Sequence, residues 1–148
     1  MKNYKIYDCK YDNGKTEIII DTYLGKFLGV SKCHPDDMDY LSNIEGGLYA
    51  EWRAVIKFFK AEIRDKKRQL KVLENIIAEM QALTGYNRES REARFIRKKY
   101  YIMKKTIEND TESLKKLQEQ LDDRMKNHIE NRKKFQEQIK AKHEKTAE

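Results

Sequence analysis

The sequence predicts an α+β protein in which an N-terminal three-stranded antiparallel meander leads into a long antiparallel helical hairpin, a coiled coil. Three observations carry that class. Residues 1–34 hold two β-rich runs on either side of an Asn-Gly pair. The rest of the chain contains one Pro and three of the six Gly, so it offers long stretches with no helix breaker. Within those stretches apolar residues recur at intervals of three, four and seven.

The meander comes first. Tyr4–Tyr11 and Thr16–Tyr23 flank Asn13-Gly14, and a two-residue type I′ turn needs both central residues to accept positive φ. With those two in the loop, Tyr11 faces Thr16, Lys10 faces Glu17, Cys9 faces Ile18 and Tyr7 faces Ile20. Tyr7, Cys9, Tyr11, Ile18 and Ile20 then share one half-buried face. Leu24-Gly25-Lys26 is expected to turn the chain into a third strand, about 27–32. A lone hairpin is marginal, so three strands packed on a helix are expected.

Pro35 suits the first position of a short helix, with Asp36 and Asp37 at its positive end. Ser42-Asn43-Ile44-Glu45 has capping-box spacing, in which the Ser hydroxyl and Glu carboxylate satisfy free backbone amides. The main helix is therefore expected from about 43. Its stripe runs Leu48, Trp52, Val55, Phe59, Ile63, Leu70, Leu73, Ile77 and Met80, with Lys66 as the polar member. Ile56 and Phe58 widen it, which marks where the sheet should pack. Gly46-Gly47 costs helix stability of about 1 kcal/mol each relative to Ala, so close approach by the third strand is expected there.

The first helix should end near Leu83, where Gly85 offers a left-handed cap and Asn87 or Ser90 the next start. The second, about 88–146, carries Ile96, Tyr100, Met103, Ile107, Asp110, Leu114, Leu117 and Leu121 at seam spacing. A short connection favours antiparallel packing, with 64–71 beside roughly 102–109. The tail from about 128 is then left without a partner in the chain. The expected organisation is a meander over 1–34 and a helical hairpin over 35–148 forming a single structural unit.

Composition narrows function. Hydrophobic residues make up 39% of 148 positions, too few for a large enzyme-like core. No apolar run approaches the roughly 18 residues that span a bilayer, and Met1-Lys2-Asn3-Tyr4 opens no signal-peptide core, so a cytoplasmic protein with no membrane partner is expected. Cys9 and Cys33 are expected as reduced thiols. Cys9, Cys33 and His34, with Asp36 or Asp37, are the metal-ligand types nearest one another in sequence. Their spacing lacks the paired knuckles of zinc sites, so buried Cys9 and a helix-start His34 are expected instead. No phosphate-binding glycine motif occurs. No cofactor, metal or catalytic residue is expected.

Charge is more informative. The chain has 32 Lys plus Arg against 25 Asp plus Glu, net +7. Residues 90–148 hold 17 basic against 11 acidic side chains, so the excess sits on the second helix. Arg91, Arg94, Arg97, Lys98, Lys99, Lys104 and Lys105 interleave with Phe95, Tyr100 and Tyr101. The hairpin brings Arg64, Lys66, Lys67, Arg68 and Lys71 toward the far half of that block. Such a footprint fits phosphates; a charged face that only solvates a long helix reads the same way.

The run Gly29-Val30-Ser31-Lys32-Cys33-His34-Pro35-Asp36-Asp37, followed by Gly46-Gly47-Leu48, Ala50 and Arg53-Ala54, resembles a group of small uncharacterised proteins from Firmicutes and their phages. In that group a short β region leads through a Cys-His-Pro-acidic-acidic junction into a helix. The resemblance covers roughly 27–58, with Ser31 where the group has Ala. It implies a phage or mobile-element setting in a bacterial host cell, and carries over no activity and no functional residue.

Together these readings lead to a non-catalytic interaction protein that engages nucleic acid, DNA or RNA, or a host nucleoprotein complex through its basic coiled-coil surface, as an inhibitor of host defence. Its partner is expected to be a host protein or nucleoprotein complex, and the chain is expected to self-associate through the hairpin or the unpaired tail, a dimer being favoured. The alternative is a structural coiled-coil oligomer with no nucleic-acid role. A small Cys/His metal-binding enzyme stands third.

Overall fold

The computed structural model describes residues 3–32 and 43–146. Three strands, β1 (Lys5–Asp12), β2 (Lys15–Thr22) and β3 (Gly25–Lys32), are followed by two helices, α1 (Asn43–Ala82) and α2 (Arg91–Thr146). The chain is α+β, as its sequence predicts. Its contacts gather into two compact units, one of residues 1–58 with 116–148 and the other of 59–115. The Pro35 helix start, Ser42, Cys33, His34, Asp36 and Asp37 lie outside the described residues.

In the first unit the sheet is an antiparallel meander in the order β1-β2-β3. Asn13 and Gly14 both have positive φ, 44° and 80°, so the Asn-Gly turn forms and Tyr11 pairs with Thr16, Lys10 with Glu17 and Cys9 with Ile18. Beyond Asp8 the register differs from expectation. Ile6, not Tyr7, pairs with Ile20, because Tyr7 is the extra residue of a β-bulge. The inserted residue transfers Tyr7 to the sheet face bearing Lys26, whose Nζ stands 3.6 Å from the centre of the Tyr7 ring. Cys9 and Tyr11 are also exposed, contrary to the buried Cys9 expected, because the buried face of the sheet is built on β2 and β3 and β1 lies outside it. The second turn is Tyr23-Leu24, with Gly25 already paired to Thr22.

The core of this unit lies between β2, β3 and the first four turns of α1. Ile20, Ala50, Ala54 and Phe58 are completely buried. Phe58 packs edge-on against Tyr23 at 5.7 Å and tilted against Phe27 at 5.8 Å, so the sheet does pack where the apolar stripe widens. The close approach runs the other way from expectation. The glycine whose missing side chain matters to β3 is Gly29, where a Cβ would stand 1.8 Å from the Ala50 carbonyl oxygen. Gly46 and Gly47 are met by Thr16 of β2 and by Tyr11 of β1 with Ile18 of β2, not by β3. Positions 46, 50, 54 and 58 share one helix face, small until Phe58 fills the wider end.

Two α1 cations close the free edge of β3. Arg53 donates to the Val30 carbonyl at 2.6 Å and Lys57 to the Leu28 carbonyl at 2.7 Å. The opposite side of α1 meets α2. The buried Tyr49 hydroxyl lies 3.4 Å from the Arg124 carbonyl and its ring is edge-on to His128. Arg53 also reaches Met125. Arg124 pairs with Glu45 at 3.0 Å and lies over Trp52. Thus α2 keeps company with α1 at His128, where the sequence leaves the tail partnerless, and Arg132, Phe135 and Ile139 continue half-buried at helical spacing.

In the second unit the helices run antiparallel. Lys66 is ion-paired to Asp110, while Ile77 and Tyr100 line one shallow pocket. The two polar members of the predicted seams thus satisfy each other. Ile63, Ala93, Ile107 and Leu114 are buried. The connection closes through Gly85, φ 81°, and Ser90 caps α2: its hydroxyl accepts from the Ala93 amide at 3.3 Å and its carbonyl from the Arg94 amide at 3.0 Å.

Candidate nucleic-acid interface

Seam residues fix how α2 is rotated in the second unit. With Ala93, Ile107 and Leu114 buried, helical periodicity turns the opposite side outward. That outward side carries Arg91, Arg94, Lys98 and Lys105, all exposed. It also carries exposed apolar groups: Phe95 is 55% and Ile102 57% exposed. Tyr101, 63% exposed, stands at the edge of that face toward α1, where it lines a pocket with Glu74, Ile77 and Gln81. Arg91, Arg94, Phe95 and Lys98 line a shallow pocket with Glu89. Lys99 sits with its Nζ 4.8 Å from the Phe95 ring centre, so positive charge attends the ring itself.

The other expected members fall elsewhere. Arg97 is half-buried and already engaged, donating to the Ala93 carbonyl and to the Arg88 carbonyl. It holds the loop against the first turn of α2 rather than standing free. Lys104 is exposed on the Arg97 side of the helix. Tyr100 is half-buried, edge-on to Tyr101 at 5.5 Å. On α1, Arg64, Lys67, Arg68 and Lys71 are exposed and share a face turned away from the seam residues Ile63, Leu70 and Ile77. Lys66 is occupied by Asp110.

Comparison with known proteins gives no match: no family model, curated protein or solved structure is similar to this chain.

Four cations, Arg91, Arg94, Lys98 and Lys105, lie along about 21 Å of helix at 1.5 Å per residue, a row of exposed positive charge. Ile102 escaped the sequence reading, although it stands seven residues after Phe95 and off the seam, which is the signal that would have found it. Among the described residues no three His, Cys, Asp or Glu stand together as a metal-ion set, and no described helix is long and apolar enough to cross a membrane.

Proposed function

We propose that this protein is a non-catalytic interaction protein that engages nucleic acid, free or within a nucleoprotein complex, through the outer face of α2. One observation carries the reading: Phe95 and Ile102 stand exposed among Arg91, Arg94, Lys98 and Lys105 on the side of the helix away from its seam. A face that served only to solvate the rod would gain nothing from exposed aromatic and aliphatic groups. A mobile-element setting in the bacterial cytoplasm, with the protein acting as an inhibitor of host defence, is part of the same proposal.

The test is fluorescence anisotropy of labelled DNA and RNA across a salt series. Micromolar binding whose logarithm falls linearly with log salt, with a slope of about −3 for four phosphates, is the expected result. The Arg91→Gln, Arg94→Gln, Lys98→Gln, Lys105→Gln variant should lose that binding with its helix content intact. Absence of binding at low salt would overturn the nucleic-acid reading. A defined dimer in sedimentation under those conditions would then favour the structural oligomer, with Phe95 and Ile102 as its apolar contact.

A further inference from the structure

Building on the nucleic-acid role proposed for α2, we propose that the strand this face takes is single, with unstacked bases laid on Phe95 and Tyr101 and phosphates tracking the cations between them. The placement of the side chains around the helix carries this. Arg94, Lys98 and Lys105 follow one another at steps of four and seven, which keeps them in one row along the axis. Phe95 lies on one flank of that row and Tyr101 on the other, and both rings are more than half exposed. A phosphate chain running down the row would therefore have a ring within reach on either side.

Duplex and single strand differ in what they can offer those rings. In a duplex the base faces are stacked on one another and only edges reach the grooves, so two bulky rings beside a phosphate track meet sugar or water. In a single strand each base has a π-face to give, and stacking on an aromatic side chain contributes to affinity whatever the base. Lys99, whose Nζ is 4.8 Å from the Phe95 ring centre, adds a further cation beside that ring. The face bears no Asn or Gln between Arg91 and Lys105, the side chains that read adenine edges in a major groove.

The experiment compares labelled oligo-dT, oligo-rU and a mixed-sequence duplex of equal length, each titrated with the full chain across a salt series. Either single strand should bind at least about tenfold more tightly than the duplex. The Phe95→Ala, Tyr101→Ala variant should weaken single-strand binding by tenfold or more while leaving the salt slope unchanged, because no phosphate contact is lost. The Arg94→Gln, Lys98→Gln variant should instead flatten the slope by between one and two. Both rings are exposed, so helix content measured by circular dichroism should be unaltered in each variant. Duplex binding as tight as single-strand binding, or an aromatic variant that binds like the parent, would overturn the single-strand assignment and leave the nucleic-acid reading standing. No binding to any of the three would overturn both.

Discussion

Gly29 of β3 and Ala50 of α1 touch backbone to backbone: a Cβ on the glycine would lie 1.8 Å from the Ala50 carbonyl oxygen and 2.7 Å from the Ala54 amide nitrogen. Nothing at that contact can swing aside, since both obstacles are main-chain atoms of a helix. Gly29→Ala is therefore expected to cost about 3 kcal/mol by overpacking, read as a lower urea midpoint. A loss under about 1 kcal/mol would show that the sheet does not seat this way. Gly47→Ala is the contrasting case. Its Cβ would meet only the Tyr11 hydroxyl, at 3.3 Å, and the tip of Ile18, while the helix gains about 1 kcal/mol of propensity, so stability should be unchanged or higher.

The Lys66–Asp110 pair sits among seam residues, with both side chains mostly covered. Replacing both by Leu should leave stability unchanged or raise it, because a part-buried ion pair exchanged for packed apolar side chains is neutral to stabilising. Asp110→Ala alone should lower it, because it strands the lysine. If the pair also pins helix register, the double-Leu protein will show more than one species in sedimentation. A double variant less stable than the parent would sink this account.

Arg53 and Lys57 hold the outward carbonyls of β3, and an uncovered edge strand is a template for pairing with other chains. The Arg53→Leu, Lys57→Leu variant should associate as concentration rises, detected by light scattering, at concentrations where the parent shows no growth. A variant whose scattering matches the parent at every concentration would mean that the edge is guarded by something else.

Tyr4 donates to the Glu51 carboxylate at 2.6 Å, and burial, then that carboxylate, push its pKa well above the ordinary 10.0. The folded state thus holds the phenolic proton more tightly than the unfolded state does. The stabilisation is complete below about pH 10 and drains away as pH rises beyond it toward the raised folded value. Tyr4→Phe should make stability fall less steeply on the alkaline side. It should not abolish the fall, because burial raises Tyr49 as well. Identical alkaline slopes for parent and variant would refute the assignment.

Much of the fold could be read from local chemistry. Asn13-Gly14 was legible because positive φ at two successive residues is a demand few residue pairs meet. Lys66 and Asp110 were legible as seam members because a heptad exposes its own exceptions. The β-bulge was not legible, since one inserted residue leaves the alternation on each side intact and shows only when the partner strand is present. Nor could the sequence say which strand visits Gly46-Gly47, a choice made by how α1 crosses the sheet. In the basic block, charge alone could not separate Arg97, spent on the Arg88 carbonyl, from Arg94 and Lys98, which remain exposed. Those roles differ by where one helix turn meets its loop.

The first unit is assembled from the two ends of the described chain, with the second unit inserted between them. During synthesis the meander can dock on α1 early, since Gly29 and Ala50 are near neighbours in sequence. Tyr49, Trp52 and Glu45 must wait for Arg124 and His128. Until those residues emerge, the nascent chain carries a helix with one side open, and formation of the inserted hairpin is what shortens the search by drawing the late segment back. The order of birth along the chain thus makes the second unit a folding guide for the first, and a chain stalled before residue 116 would present that open side to the cell.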